Sequence, residues 1–229
     1  LILFPALFEP LLRPFAPAGG PVIYDRASLA SLTLSHLGLV ALAMVPSALI
    51  ALSLAILVTR PAGAEFLPLA RTLANIGQTF PPVAVLALSV PLLGFGARPT
   101  VLALFLYGLL PIFENALAGL RSVPGSVLLS ARAVGMTQRR MLAQVEMPLA
   151  LPLILEGIRI SVVIALSTAT IGSTVAARSL GEVIIAGLTA NNPAYVIQGG
   201  VLTGCIAVLL YDAFGLLIAI AKRRTGREM

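Results

Sequence analysis

The sequence predicts an all-α protein that forms a polytopic transmembrane helical bundle with five core spans. Its 229 residues are 59% apolar and 10% charged, and their mean hydropathy is +1.03. A soluble domain is only about 45–50% apolar and about 25% charged, because it must cover its surface with polar side chains. The apolar residues also occur in runs long enough to cross a hydrocarbon core roughly 30 Å thick. These observations exclude an ordinary soluble domain and indicate that lipid surrounds the chain.

The first span is expected at about residues 32–58. It lies inside a run of 33 residues, between Arg26 and Arg60, that contains no Asp, Glu, Lys or Arg. About 20 apolar residues are enough for a spanning helix. Residues 1–30 are expected to form an external segment or the remnant of an extra span, because their apolar start is short and interrupted by prolines.

The second span occupies the uncharged residues 72–97 and is interrupted by Pro81 and Pro82. Proline lacks an N–H donor, so this span should bend or break near its middle. The break lies beside Gln78 and Thr79, where free backbone carbonyls need protein or cavity water as partners. We expect these four residues to form a flexible pore wall or gate, with a kink packed against a neighbouring helix as the alternative.

Three further spans are expected at about residues 99–120, 148–175 and 196–221. With the earlier spans they define a transmembrane domain over residues 31–224, followed by the tail 225–229. A cytoplasmic carboxyl end places eleven of the fifteen basic residues on the inner side, as the positive-inside rule requires. The net charge of +6 therefore reflects membrane topology. It does not indicate nucleic-acid binding, because the arginines are not collected on one face with aromatic residues.

Five other polar residues in or near the spans are candidates for the translocation path: Asn75, Asn115, Ser167, Thr168 and Asp212. The two asparagines line the path or form hydrogen bonds between helices. The two hydroxyls line the cavity or bond back to helix carbonyls. Asp212 lies ten residues before Lys222, about 15 Å along a helix, and either attracts a cationic substrate or is a structural, hydrogen-bonded acid facing the fourth span.

The sequence contains no candidate catalytic or metal site. The single Cys205 excludes a multi-cysteine metal site, and the only lysine, Lys222, does not follow a phosphate-binding glycine loop. His36, the only histidine, is expected to be a polar residue at the membrane interface and not a member of a catalytic triad. Any ATP hydrolysis must therefore occur on another chain.

Residues 122–147 form the longest cytoplasmic segment and are expected to fold into two short amphipathic helices. Ser122 can cap the first helix, and Gly135 can end it in a left-handed conformation. Thr137 can cap the second helix, which should end before Pro148. Such a hairpin either fills a groove in a soluble partner or lies in the lipid interface.

The same segment resembles a known signature. Leu129-Ser130-Ala131, three residues, Gly135, nine residues and Val145-Glu146-Met147-Pro148 match the spacing EAA-x3-G-x9-I-x-L-P of membrane subunits of bacterial ABC importers. Leu129 replaces the usual glutamate and Ser130 the following alanine. With the arginines that rim the hairpin, the resemblance implies these ATPase-coupling residues: Leu129, Ser130, Ala131, Arg132, Gly135, Arg139, Arg140, Val145 and Pro148.

Further stretches are similar to permeases for glycine betaine, choline, carnitine and related osmoprotectants. They are residues 75–88, 91–96, 104–112, 118–123, 148–152 and 157–159. This resemblance implies a type I importer (MetI-like) fold in a bacterial inner membrane. It also implies a second permease subunit, identical or different, two cytoplasmic ATPase subunits that bind ATP and Mg, and an extracytoplasmic substrate-binding protein.

The implied function is import of a small osmoprotectant by alternating access, with no cofactor bound by this chain. Two alternatives stay open from the sequence. One is an ABC permease for another small solute, an amino acid or a sulfonate. The other is an ion-coupled secondary transporter that uses Asp212 as its proton site.

Overall fold

A computed structural model describes Ile2 and residues 5–225, which fold into helices and connecting turns without a strand. Their α-helices are α1 (Glu9–Leu12), α2 (Leu29–Val58), α3 (Leu67–Thr79), α4 (Pro82–Leu93), α5 (Ala97–Arg121), α6 (Gly125–Ala133), α7 (Gln138–Met141), α8 (Met147–Ala169), α9 (Gly181–Thr189) and α10 (Pro193–Arg224). Helices α2, α5, α10 and the continuous segment Gln138–Ala169 are long and apolar enough to cross a membrane. The predicted all-α transmembrane bundle is confirmed.

The second predicted span is broken, as its prolines indicate. Helices α3 and α4 are bent by 93° at Phe80 and Pro81 and together count as a fifth candidate span. The carbonyl of Pro81 accepts hydrogen bonds from the N–H groups of Ala84 and Val85, so α4 starts as a new helix with Pro82 in its first turn.

The fourth span ends earlier than predicted. Helix α8 stops at Ala169, and Ile171–Val175 forms a separate 3-10 helix. The Ser179 hydroxyl donates to the carbonyl of Ala169 at 3.1 Å and so caps the last turn of α8. The prediction treated the whole apolar run as one helix, because this cap comes from a residue further along the chain.

The chain divides into two compact units. The first comprises the residues up to Met44, Phe80–Phe105 and Val163–Leu209. Its core joins Leu29 and Leu32 of α2 to Val183 of α9 and Leu202 of α10. Helix α9 is missing from the sequence prediction, because an apolar run of this length is too short to cross a bilayer and carries no hairpin signal. It buries Gly181, Val183, Ala186 and Gly187, so one face of the helix belongs to the core of this unit.

The segment before α2 is fastened to the first unit. Leu12 and Val22 are buried against Ala194, and the Asn192 side-chain amide donates to the carbonyl of Pro21 at 2.8 Å. The Tyr24 N–H donates to the side chain of Gln198 at 3.0 Å. Within its described part, this segment contains short helical turns and no helix of spanning length.

His36 is wrongly predicted as an interfacial residue. Its side chain is fully buried in the first unit, and its Nε2 lies 3.1 Å from the carbonyl oxygen of Leu166. A carbonyl only accepts, so Nε2–H is the donor. The residue is a buried helix-to-helix contact, which an uncharged apolar run in a sequence does not reveal.

The second unit comprises Val45–Thr79, Leu106–Val162 and the residues from Leu210 onward. Its helices approach closely through small residues. A Cβ atom on Gly119 would lie 3.0 Å from the carbonyl oxygen of Ala150, and a Cβ on Gly157 would lie 2.7 Å from the Asn115 side chain. These contacts hold α5 and α8 together by the small-residue packing that is common in membrane bundles.

Candidate functional site

The predicted hairpin between the third and fourth spans is present, and its central glycine has the predicted conformation. Helix α6 ends at Ala133, and Gly135 has φ of +79°. The Gly135 N–H bonds to the carbonyl of Arg132, and the Met136 N–H bonds to that of Ala131. These bonds satisfy the last carbonyls of α6 and turn the chain toward α7.

One predicted cap of the hairpin is confirmed and the other is wrong. The Thr137 hydroxyl accepts from the N–H of Arg140 and caps α7. The Ser122 hydroxyl instead donates to the carbonyl of Gly119 at 2.9 Å, because Ser122 still belongs to the last turn after α5. The extended residue Pro124 precedes α6 without a side-chain cap.

The second hairpin helix does not end before Pro148, so that prediction is also wrong. Helix α7 passes into a π-helical turn, Leu142–Glu146, and then directly into α8. A π turn bonds each N–H one residue further back than an α turn. Pro148 follows directly after this π turn, which lets the helix continue through a residue that has no N–H. The hairpin is therefore continuous with a membrane span.

The hairpin presents an apolar and cationic surface. Leu129 and Val134 are 68% and 76% exposed. Among the predicted coupling residues, those that are exposed are Leu129, Ser130, Arg132, Gly135, Arg139 and Arg140, whereas Ala131 is buried and Val145 and Pro148 are half-buried. The four arginines between residues 121 and 147 are accompanied by a single acidic residue, Glu146, which is buried.

Glu146 forms an ion pair that the sequence analysis missed. Arg60 donates from Nη1 to Oε1 at 2.9 Å and from Nη2 to Oε2. The hydrogen bonds to Glu146 raise the pKa of the Arg60 guanidinium, so the pair stays charged. A cavity of about 350 Å³ adjoins the pair and is lined also by Arg121 and Arg132. Arg60 and Glu146 are 86 positions apart, so no local spacing in the sequence indicates that they pair. The one sequence feature that singles out Glu146 is that it is the only acidic residue of the hairpin.

The broken span presents polar side chains on an open surface. Helix α3 buries only Ala70, Ala74 and Gly77. Of the predicted path residues, Asn75, Gln78 and Thr79 are exposed, as is Pro81, whereas Pro82 is half-buried. The Gln78 amide donates to the carbonyl of Tyr107 on α5 at 2.9 Å, and the Thr79 hydroxyl donates to the carbonyl of Ile76.

An exposed bidentate ion pair lies between the same two helices. Arg71 Nε and Nη2 donate to the two carboxylate oxygens of Glu114, at 2.8 and 3.2 Å. Asn115 is half-buried and donates to the carbonyl of Pro111 on its own helix at 2.8 Å. Asn115 therefore bonds within its own helix, and this bond does not support the alternative of a hydrogen bond between helices.

The remaining path candidates lie on α8 and α10. Ser167 is exposed and donates to the carbonyl of Val163, and Thr168 is half-buried. Asp212 is exposed on α10, and the residues that the structure describes offer it no hydrogen bond. Glu156 and Arg159 form an ion pair on α8, with Nη1 and Oε2 3.2 Å apart.

No group of three or more His, Cys, Asp or Glu side chains suited to a metal ion occurs among the residues that the structure describes. The polar features that the structure describes are a cationic hairpin and a broken span with exposed polar side chains. The predicted coupling and path residues belong to the second unit, apart from Pro81, Pro82, Ser167 and Thr168, which belong to the first.

Comparison with known proteins gives consistent matches. The binding-protein-dependent transport system inner membrane component family matches residues 47–227. The osmoprotectant import permease protein OsmY of Salmonella typhimurium is 41% identical over 175 residues, which cover 76% of this chain and 74% of that protein. The choline transport system permease protein OpuBB of Bacillus subtilis is 34% identical over 207 residues, covering 90% and 89%.

Among solved structures, a chain of the MetNI methionine ABC transporter in an inward-facing conformation matches with a TM-score of 0.75. It covers 84% of this chain and 95% of the MetNI chain at 20% sequence identity. At that identity the likeness concerns the fold, and it agrees with the predicted type I importer architecture.

Proposed function

Because the chain belongs to the family of binding-protein-dependent transport system inner membrane components, we propose that its solute is an osmoprotectant such as glycine betaine, choline or carnitine. The chain is a multi-pass inner membrane protein, the transport subunit of an ABC importer and not an enzyme. The observation that carries the solute class is the similarity to the OsmY and OpuBB permeases over most of the chain.

The assembly that fits this role contains a second permease subunit, identical or different, and two cytoplasmic ATPase subunits that bind ATP and Mg. A binding protein on the outer side delivers the solute. The exposed acid Asp212 indicates that the α10 surface around it does not face lipid, since a carboxylate facing lipid is costly. Only 11% of the most apolar stretch of α10 is buried within the chain, which leaves ample surface for a partner.

The hairpin is the proposed docking element for the ATPase, on the cytoplasmic side together with the carboxyl end. Its exposed Leu129 and Val134 fit an apolar groove, and Arg132, Arg139 and Arg140 fit an acidic rim around that groove. The surface carries no exposed carboxylate, because the only acid of the hairpin is paired with Arg60. Leu129 therefore adds apolar contact area where other permeases carry a glutamate.

The polar surface of the second unit is the proposed wall of the translocation path. Asn75, Gln78, Thr79 and Asp212 are exposed within candidate spans. Gln78 and Thr79 each donate one hydrogen bond to a backbone carbonyl, but lipid would leave the other polar atoms of the four side chains without partners. Water or solute in a path satisfies them at little cost. Asn115 extends this set, and the break after Thr79 gives the wall a point of movement. Pro81, Pro82, Ser167 and Thr168 stay predictions.

In the proposed mechanism, ATP binding closes the ATPase pair and displaces α6 and α7. The continuous backbone from α7 into α8 carries this displacement into a membrane span. The path then opens outward to receive solute, and hydrolysis returns it inward. The protein supplies the coupling and the path, and the chemical energy comes from the partner chain.

Co-purification and reconstitution test this function. The complete transporter, isolated with the ATPase that accompanies this chain, is placed in liposomes with ATP inside and the binding protein outside. We expect glycine betaine, choline or carnitine to stimulate hydrolysis and to accumulate. Stimulation by an amino acid or taurine alone would assign another solute, and uptake driven by a proton gradient without ATP would indicate the secondary transporter.

A further inference from the structure

Arg60 and Glu146 form a part-buried ion pair at the end of the hairpin. Both Nη atoms of Arg60 donate to the carboxylate, and Nη2 also donates to the Thr59 hydroxyl at 3.1 Å. Glu146 is only 4% exposed. The buried carboxylate is thus held at two points by the half-buried Arg60, and such a bidentate, charge-assisted bond is both strong and directional.

The two residues belong to different mechanical elements. Glu146 is the last residue of the π turn that joins the hairpin to α8. Arg60 lies in the short link after α2, directly before the 3-10 helix Pro61–Phe66 that leads into α3. The pair therefore connects the hairpin to the beginning of the broken span, bypassing the intervening α4 and α5.

The link around Arg60 is stiff. The Arg60 N–H donates to the carbonyl of Leu57, and the Arg60 carbonyl accepts from Gly63. A Cβ on Gly63 would overlap the carbonyl of Leu57, so this turn is packed against the end of α2 without free space. A pull on the guanidinium is consequently passed to the backbone and not absorbed by a flexible loop.

The surroundings of the ion pair indicate that it does more than stabilise the fold. Buried ion pairs are often no more stabilising than apolar residues of similar volume, because both charges lose their hydration. Here Arg60 Nε is also buried without a partner in the described part of the chain, and the adjoining cavity leaves room for displacement. An unpartnered Nε and an adjoining cavity are unfavourable for a contact that only holds the structure rigid. They are compatible with an ion pair that shifts during transport.

We infer that the Arg60–Glu146 pair transmits the displacement of the hairpin to α3. Arg60 and Glu146 are positioning residues in this role, since they touch neither ATP nor solute. The inference rests on the proposed function, in which the ATPase moves the hairpin and α3 lines the path. It adds a second route of coupling beside the backbone connection through α8.

Neutral variants of the reconstituted transporter test the inference. We expect R60Q and E146Q to keep the ATPase bound and to hydrolyse ATP within about twofold of the unchanged protein, while solute uptake per ATP falls about tenfold, inside the roughly 5- to 150-fold range of coupling between sites. The exposed pair of Glu9 and Arg13 supplies the matched control. R13Q should leave the ratio of uptake to hydrolysis unchanged.

Two further variants keep the test decisive if the single variants fold poorly. R60M/E146L removes both charges, so no unpaired charge remains at this site, and the variant should fold yet stay uncoupled. The exchange R60E/E146R should restore part of the uptake per ATP. Equal losses of uptake and hydrolysis in all variants, or a normal ratio in R60M/E146L, would overturn the inference.

Spectra of single spin labels add a readout that a purely structural pair would not change. Spin labels are placed at exposed Ser126 on α6 and exposed Thr72 on α3, in a C205S background. In the complete transporter, ATP should change the environment of both labels, whereas in R60Q only the α6 label should respond. If unchanged protein shows no ATP-dependent uptake of any solute, the proposed function fails. If it transports and R60Q stays fully coupled with both labels responding, the inference fails alone.

Discussion

The guanidinium carbon of Arg159 on α8 lies 3.2 Å from the centroid of the Tyr211 ring on α10. The same guanidinium also donates to the carboxylate of Glu156, which lies three residues earlier on α8. An aromatic ring and a carboxylate thus share one largely buried cation within the second unit. The contact joins α8 to α10.

This contact makes a stability prediction. Y211L should lower the free energy of unfolding by about 1–2 kcal/mol, because cation–π contacts contribute roughly 0.5–2 kcal/mol and ring area is also lost. Y211F keeps the ring face and should lie within about 0.5 kcal/mol of the unchanged protein. Thermal unfolding in detergent measures both. Equal destabilisation by Y211F would show that the hydroxyl, and not the ring face, carries the contact.

Gly135 offers a test of backbone conformation alone. A Cβ at this position would meet no atom within 4 Å, but φ is +79°, where side chains are strained. G135A should therefore reduce ATPase binding and stability by about 1–2 kcal/mol, and G135N by less, because Asn tolerates left-handed geometry. Gly125 also has open space around its Cβ position but no positive φ, so G125A is the matched control. Binding of the ATPase to the detergent-solubilised chain is the measurement.

Gly77 tests the packing of the broken span. A Cβ on Gly77 would overlap the backbone of Leu106 on α5, whereas one on Gly204 would meet no atom within 4 Å. G77A should destabilise the chain by about 1–3 kcal/mol, because overpacking forces a backbone shift. G204A should be neutral in the isolated chain. Thermal unfolding of the two variants compares them, and an undiminished melting temperature for G77A would contradict the packing of α3 on α5.

The span pattern could be predicted because lipid imposes it directly on composition. The run between Arg26 and Arg60 had to be a helix, since its backbone groups have no partners in hydrocarbon other than each other. The break at Pro81 followed from its missing donor. Likewise the left-handed turn at Gly135 and the cap at Thr137 are local events, and local sequence was enough to predict them.

Other features depend on partners that are distant in the chain. The cap from Ser179 that ends α8 and the pairing of Glu146 with Arg60 leave no spacing pattern. His36 was misplaced because a polar residue inside an apolar run gives no indication of which neighbour it faces. Pro148 was taken as a helix end, although a preceding π turn lets the helix continue. These features depend on tertiary contacts, which the periodicity of a single sequence does not predict.

Tyr24 gives a prediction for alkaline pH. Burial and its hydrogen bond to Glu182 raise the pKa of Tyr24 to about 12, from 10.0. The folded state thus favours the neutral phenol, so its contribution to stability is complete below pH 10 and is lost as the pH rises toward 12. Thermal unfolding of the unchanged chain should therefore show a loss in that window, and Y24F should lack this component. A Y24F curve that falls in parallel with the unchanged protein would contradict the assignment.

Charge reversal on the hairpin tests how the ATPase docks. Arg139 and Arg140 are exposed and form no ion pair with the acids that the structure describes, so R139E/R140E should abolish ATPase binding and coupled hydrolysis, while insertion into the membrane stays intact. Arg178 is equally exposed but lies in the first unit, and R178E is the control for a change of net charge. Because exposed charges are screened within about 10 Å at 0.1 M salt, added salt should weaken docking of the unchanged protein and scarcely affect the reversed one. Docking that resists both salt and reversal would mean that the apolar residues Leu129 and Val134 carry the contact by themselves, with no acidic rim on the partner.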